Sequence, residues 1–577
     1  MSPRPASSPL DAAPVTDSGP ALPRRAVLAT GAGAAAVGVL AGAGVAPAEA
    51  AGRRVFRHGV ASGDPLPRRV VIWTRVTPTS ASRPGSGRGP AVTVSWEVAT
   101  DARFRRVVRR GSFATGPHRD HTVKVDVAGL RPATEYHYRF TYRGARSRVG
   151  RLRTAPAATA RPRNLRLGIV SCANWQAGFF AAYRALAQRD DLHAVLHLGD
   201  YLYEYAPGEY GEGSEERDVR RHDPAREIVS LEDYRRRHAQ YKTDPDLQAL
   251  HARYAFIVTW DDHEVTNDQW RAGAENHQPD EGSYRARRAR AHRAYDEWMP
   301  VRMGGTAALR DGTRLFRRLR FGRLAEISML DLRTYRSQQV RTPAPTPVPA
   351  PTPGVSDPDR TILGAQQLAW LKASLRRGGA QWKLVGNPVM IAPVTFAALP
   401  RDLIAPVNDV TGLLPDDGLP YNVDQWDGYT ADRREVFMHI RDRQVTDTVF
   451  LTGDIHSGWA CELPYDTGAY PVAGGSAGVE FVCTSVTSNN LKDILGVPPR
   501  TASRAVEEAI KLNNRHVKYL DFDSHGFSVL DVTAERAQMD WFVIGSRSDR
   551  RTSVRHSVSY LTRSGTAKVE RARGPVR

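Results

Sequence analysis

The stretch Ala194-Val-Leu-His-Leu-Gly-Asp-Tyr-Leu-Tyr-Glu204 limits the possible folds more than any other part of the chain. Ala194 to Leu198 is a short apolar run without alternation, the mark of a strand covered on both faces, as in a parallel sheet. Gly199 breaks the run and leaves Asp200 at the strand's carboxyl end, the edge where open α/β sheets bind ligands. Tyr203 follows three residues later, within reach of the same point.

Three other strand ends finish in the same way. Leu165–Ser171 delivers Cys172, and Thr448–Gly453 delivers Asp454 and His456. Tyr254–Trp260 delivers Asp261, Asp262, His263 and Glu264, with Asn267 and Asp268 just beyond. Each has an ordinary structural explanation on its own: a buried Cys is usually a small core residue, and Asp after Gly is often a turn or cap. Taken together, carboxylates, imidazoles, a thiol and a phenol on one sheet edge would repel one another without a cation. The pattern therefore predicts a metal centre. A phenolate and a thiolate favour a trivalent, redox-capable ion such as Fe³⁺, while Asp and Asn oxygens suit Ca²⁺, Mg²⁺ or Mn²⁺. A zinc pair would call for more His, and no HExxH motif is present.

The rest of the chain frames this edge. At 577 residues more than one domain is expected. Residues 1–50 read as a targeting segment: Arg24 and Arg25 precede an Ala/Gly-rich apolar stretch that ends on Ala48-Glu-Ala50, as in a cleaved twin-arginine leader for the twin-arginine export machinery. No later run is apolar enough to cross a bilayer, so no stable membrane insertion is expected, and the protein is expected to be secreted or held at the envelope. The net charge is +19, and losing residues 1–50 removes three Arg and three acids and leaves it unchanged. A basic surface attracts polyanions. No nucleic-acid-binding module is evident, however, and Arg285-Ala-Arg-Arg-Ala-Arg290 reads as the solvated face of a helix continuing to Trp298. Three cysteines leave at least one thiol unpaired within the chain; Cys461 and Cys483 fit either a disulfide or core thiols.

Residues 53–156 alternate with period two over Val92–Val98, Val123–Val127 and Tyr136–Tyr142, which predicts an all-β sandwich. Gly129–Tyr138 resembles the approach to the tyrosine corner of fibronectin type III-like domains. A linker near residues 153–162 leads into alternating strands and helices over 163–550, an α/β unit, with 551–577 as a C-terminal tail. Residues 342–353 form a proline-rich surface insertion. The helix expected over Thr501–Asn513 is a candidate lid.

The blocks Gly199-Asp-x-x-Tyr203, Asp262-His-Glu264 and Gly453-Asp-x-His456 resemble those of calcineurin-like metallophosphoesterases, with Cys172 where that superfamily usually has D-x-H. Trp260-Asp-Asp-His-Glu264, the β-rich N-terminal module, Phe56–Pro65 and Asp523–Phe527 narrow the resemblance to the PhoD family of alkaline phosphatases and phosphodiesterases. The resemblance implies a four-layer αββα metallophosphoesterase core using Fe³⁺ and Ca²⁺. By the same resemblance Cys172, Asp200, Tyr203 and His456 hold iron; Asp200 bridges to calcium, with Asp262 and Asp454 as further ligands, and Asn267 is a candidate for a second calcium. His263 would contact substrate phosphate and protonate the leaving group, and Asp261 and Glu264 would orient the ligands.

The expected reaction is hydrolysis of phosphate mono- or diester substrates by in-line attack of a metal-bridging oxide or hydroxide, without a phospho-enzyme. The leading reading is a phosphomonoesterase with phosphodiesterase capacity. The alternative is a phosphodiesterase proper, of phospholipase D type or acting on wall polymers. From a different class, an exported binding protein with a structural metal site is disfavoured by the open sheet edge and by His263.

Overall fold

Strands with no polar alternation form the centre of the molecule, because only a place between two covering layers removes both faces of a strand from water. Leu165–Val170, Ala194–Leu198 and Ala255–Thr259 are buried at every residue and pair in parallel, with Leu196 between Ile169 and Ile257. They lie at the middle of a ten-stranded sheet. A seven-stranded sheet has its own parallel centre: Ala325–Met329, Trp382–Asn387, Thr448–Thr452 and Ser476–Val482. The computed structural model describes residues 52, 54–210, 219–303, 314–340, 354–396, 398, 400, 402 and 418–576. The leader and the proline-rich insertion at 342–353 lie outside the described residues.

The two sheets pack face to face through Ile169, Leu196 and Ile257 from the first and Ile327, Leu384 and Leu451 from the second. Helices Ala181–Gln188, Leu231–Tyr241, Pro245–Arg253 and Tyr284–Trp298 cover the outer face of the first sheet. Gly364–Arg376 and Thr430–Asp442 cover the second, and Ser503–Asn513 joins them through Ile510. The result is the four-layer αββα arrangement expected from the resemblance. The candidate lid helix is therefore part of the outer scaffold, where Glu507 also accepts the backbone N–H of Phe522 at 3.0 Å.

The N-terminal β module is a sandwich that shares one of its sheets with the α/β unit. Val92–Ala99, Val107–Thr115, Glu135–Tyr142, Ala145–Arg146 and Gly150–Arg153 form a five-stranded sheet. Its partner layer is Val60–Gly63, Arg69–Arg75 and Thr122–Ala128, which extend the ten-stranded sheet, with Val60–Gly63 parallel to Ala255–Thr259. Val94, Val98, Tyr138 and Phe140 pack against Val60, Ile72 and Val123 to fill the sandwich. The tyrosine-corner contact is present: the backbone N–H of Arg131 donates to Tyr136 Oη at 2.9 Å.

Two local expectations change, and one open alternative is decided. Residues 551–577, read as a tail, supply Val554–Arg563 and Glu570–Arg571 to the far edge of the ten-stranded sheet, because Arg536–Ile544 would otherwise leave its backbone groups unpaired there. The arginines of 285–290 do not share one solvated face: Arg287 is fully buried and bonds Glu227 at 2.5 Å and Glu281 at 2.8 Å. Only Arg285 and Arg290 of that run are exposed. Cys172, Cys461 and Cys483 are all buried free thiols.

The junction of module and core is backbone against backbone. A Cβ on Gly63 would stand 1.9 Å from Pro300 O, so only glycine fits. The next residue, Asp64, is buried and accepts from Arg317 Nη2 at 2.6 Å, Arg317 Nε at 2.9 Å and Arg302 N at 2.8 Å. Removing one partner of such a buried pair leaves the other charge uncompensated. Asp64→Ala is therefore expected to lower unfolding stability by about 3 kcal/mol, read from a guanidinium titration; an unchanged midpoint would show that the junction carries no load.

Candidate metal centre

All four predicted strand ends meet in one place. Cys172, Asp200 and His456 bring one ligand atom each within 4.8 Å of one another, as do Asp200, Asp262 and His263, and Asp261, Asp262 and Asp454. Asp200 belongs to two of these groups and Asp262 to two, so the groups form a continuous cluster. Tyr203 joins it: its hydroxyl donates to Asp200 Oδ2 at 2.9 Å and lies 3.2 Å from His456 Nε2. The side-chain amide of Asn267 donates to Glu275 at 3.1 Å.

The backbone is shaped to hold these side chains. Cys172, Asp200, Asp454 and His456 have φ of 57°, 54°, 64° and 52°. Such left-handed conformations cost free energy in non-glycine residues and concentrate at functional sites. Gly199 (φ 107°) makes the turn possible, since a Cβ there would lie 2.6 Å from Asp261 Cβ. Glu264 ties the turn to the neighbouring strand end by accepting the N–H groups of Asp200, Tyr201 and Asp261 at 3.1, 2.7 and 2.9 Å.

The donors are arranged as a cation site requires. Asp200 Oδ1 is buried without a hydrogen-bond partner, which is costly unless something else satisfies it. His456 Nδ1 bonds the carbonyl of Asn489 at 2.7 Å, which fixes the tautomer and frees Nε2. Burial holds this imidazole neutral, with its pKa lowered to about 4. Burial, then the Asp200 charge, raises the Cys172 thiol and the Tyr203 phenol well above their ordinary values. Thiolate and phenolate therefore need added positive charge, and the donor set fits a metal centre.

His263 stands beside this cluster, its ring 4.1 Å from that of Tyr203. Its Nδ1 bonds Glu204 at 2.8 Å. Burial opposes a charge on His263, but Glu204, Asp200 and Asp262 outweigh it and raise the imidazole well above its usual value. Burial likewise would lift Glu204, yet His263, Asn276 and the Asn267 N–H hold it down to about 2.

The main group that sequence reasoning missed is Arg333, which is fully buried. Its guanidinium grips Asp261 with two bonds and reaches Asp424 at 2.8 Å and Asp454 at 3.0 Å. Both oxygens of Asp261 are thus engaged by Arg333. Gln425 donates to the other Asp454 oxygen at 2.9 Å, and Ser488 donates to Tyr203 Oη at 2.6 Å. The strand-end rule, applied to Ala325–Met329 and Ser476–Val482, leads toward Arg333 and Ser488. Asp424 and Gln425 lie between elements and carry no comparable signal.

Comparison with known proteins agrees with this geometry. Residues 167–541 match the family model of PhoD-like phosphatases, and residues 42–156 match that of the PhoD-like phosphatase N-terminal domain. Alkaline phosphatase D of Bacillus subtilis (strain 168) is 36% identical over 492 residues, 85% of this chain and 77% of that protein. A solved structure of PhoD superposes with a TM-score of 0.79 at 33% identity, covering 91% of this chain and 93% of the other. With family models over both its parts and a strand-end cluster suited to cations, the chain belongs to the PhoD-like phosphatase family, hydrolases of phosphoric ester bonds.

Proposed function

We propose that this protein is an exported alkaline phosphatase with phosphodiesterase capacity, working through a mixed Fe³⁺ and Ca²⁺ centre. The observation that carries the reading is the position of Asp200. Its carboxylate is common to a thiol–imidazole group (Cys172, His456) and to a group with Asp262 and His263, and one of its oxygens has no other partner. Cys172, Tyr203, His456 and Asp200 would hold Fe³⁺, and Asp200, Asp262 and Asp454 would hold Ca²⁺. Asn267 is a further calcium candidate through its side-chain oxygen. When bound, the cations supply Lewis acidity, lowering the pKa of solvent water and neutralising phosphoryl charge for in-line attack.

The chain's own groups do the rest. Glu204 takes the Nδ1 proton of His263 in a hydrogen bond and orients the ring, leaving Nε2 to carry a proton to the departing oxygen. Arg333 holds Asp261 and Asp454 in place, so the ligands do not rearrange as charge moves. Export completes the reading: the twin-arginine pattern and the Ala48-Glu-Ala50 cleavage site precede a chain whose thiol ligand is shielded inside a finished fold. Among the described residues, no helix is long and apolar enough to cross a membrane.

Elemental analysis of protein purified without added metals or chelators should find about one iron per chain with calcium alongside. Cys172→Ser should lose the iron together with activity, by more than the roughly 10–100-fold typical of outer partners. Zinc or manganese in both positions, or a fully active Ser variant, would reject the iron assignment.

Tyr203→Phe tests the phenolate separately. The phenolate-to-iron band should vanish in this variant while any thiolate-to-iron band from Cys172 remains, and an unchanged spectrum would remove Tyr203 from the ligand set.

His263→Ala should slow hydrolysis of an alkyl phosphate by about 10²–10⁴-fold while sparing p-nitrophenyl phosphate, whose leaving group needs no proton. Equal losses on both would place His263 in phosphate binding instead. The same preparation assayed on a phosphodiester measures the diesterase share.

A further inference from the structure

A cavity of about 340 Å³ lies where the linker from the N-terminal sandwich enters the ten-stranded sheet. Leu165 and His193, which line it, stand at the amino-terminal ends of strands whose carboxyl ends carry Cys172 and Asp200. At about 3.3 Å per residue this puts the cavity roughly 20 Å from the metal centre, on the opposite edge of the sheet. It is therefore a separate site.

Its lining is basic at the rim and apolar at the floor. Arg153, Arg161 and Arg163 line it, and among the described residues no acidic side chain does. Carboxylates around it are engaged with other cations: Asp531 accepts from Arg166 at 2.9 Å and Asn164 at 3.0 Å, Asp191 accepts from Arg166 at 2.5 Å and Arg189 at 2.6 Å, and Glu135, opposite Arg153 in the sheet, lies 3.5 Å from Arg151 Nη1. The backbone N–H of Arg166 donates to His193 Nδ1 at 3.0 Å, so the neutral ring carries its proton on Nε2 and remains a donor. Burial and then the Arg153 charge lower His193 to about 4, which keeps it neutral at physiological pH. Phe321 and Leu165 are buried and provide the floor.

We propose that this cavity binds an organic phosphate, with the three guanidinium groups on the phosphate and the apolar body of the ligand against Phe321 and Leu165. Guanidinium forks match phosphate oxygens two at a time. The cavity volume is that of a small-molecule site. The chemistry required is a phosphate on a compact apolar group; the inference concerns binding alone and stands independently of which metals the catalytic centre holds.

Phenylphosphonate is a suitable probe, since its carbon–phosphorus bond is not an ester and survives the enzyme. In equilibrium titrations the variant Arg153→Ala/Arg161→Ala/Arg163→Ala should bind one equivalent fewer than the native protein, with kcat, KM and thermal midpoint unchanged. Inorganic phosphate should bind this site about tenfold more weakly than phenylphosphonate, because it covers none of the floor. Equal stoichiometry and affinity in native and variant protein would overturn the site. Equal affinity of phosphate and phenylphosphonate would overturn the apolar half of the assignment.

Discussion

Crowded carboxylates cannot be buried without positive charge close by, and that constraint runs through the structure. Arg333 meets it permanently, satisfying Asp261 and reaching Asp424 and Asp454 at the end of one sheet. It does not reach Asp200, Cys172 or Tyr203, which burial and then neighbouring negative charge push toward their protonated forms. The acidic cluster thus has a part held by the protein's own arginine and a part that calls for positive charge from elsewhere, with Asp454 at the border of the two. The left-handed turns at Cys172, Asp200, Asp454 and His456 store strain that the two-sheet scaffold must hold against relaxation.

The two-sheet scaffold suits that task because both of its sheets end at the same edge. Parallel strands deliver their carboxyl ends together, so one short turn per strand brings residues that are hundreds of positions apart into contact. Cys172 and His456 come from different sheets, yet both reach Asp200. Rigid strands below and hydrogen-bonded turns above leave little freedom, and Glu264, with three backbone N–H groups on one carboxylate, is the clearest instance.

The strand ends were legible in the sequence because burial on both faces removes alternation and a glycine or an acid then marks the exit. Ala194–Leu198 and Thr448–Thr452 fall where the pattern put them. Arg333 was not legible as a site residue, since a search for metal ligands passes over a cation, and its partners meet only in three dimensions. Glu204 sat inside the most informative stretch, but nothing in its spacing shows that it would hold His263. Arg287 illustrates the converse: a basic run reads as solvated until Glu227 and Glu281, far away or across a turn, bury it. Nor does period-two patterning reveal that Val60–Gly63 would pair with a strand some two hundred residues later.

That last pairing has a consequence for how the chain matures. The ten-stranded sheet runs from Glu570–Arg571 at one edge to Thr122–Ala128 at the other, drawing strands from both the first and the last parts of the described chain. Its contacts are highly non-local, which makes closure slow. While the ribosome is still working, the early sandwich has an open edge waiting for Ala255–Thr259, and the central strands wait for Gly526–Val532. Unpaired edges of that kind invite aggregation. The sheet therefore stays incomplete until its strands beyond residue 526 have been made, and losing the strands of either flank leaves an adhesive border rather than a smaller enzyme.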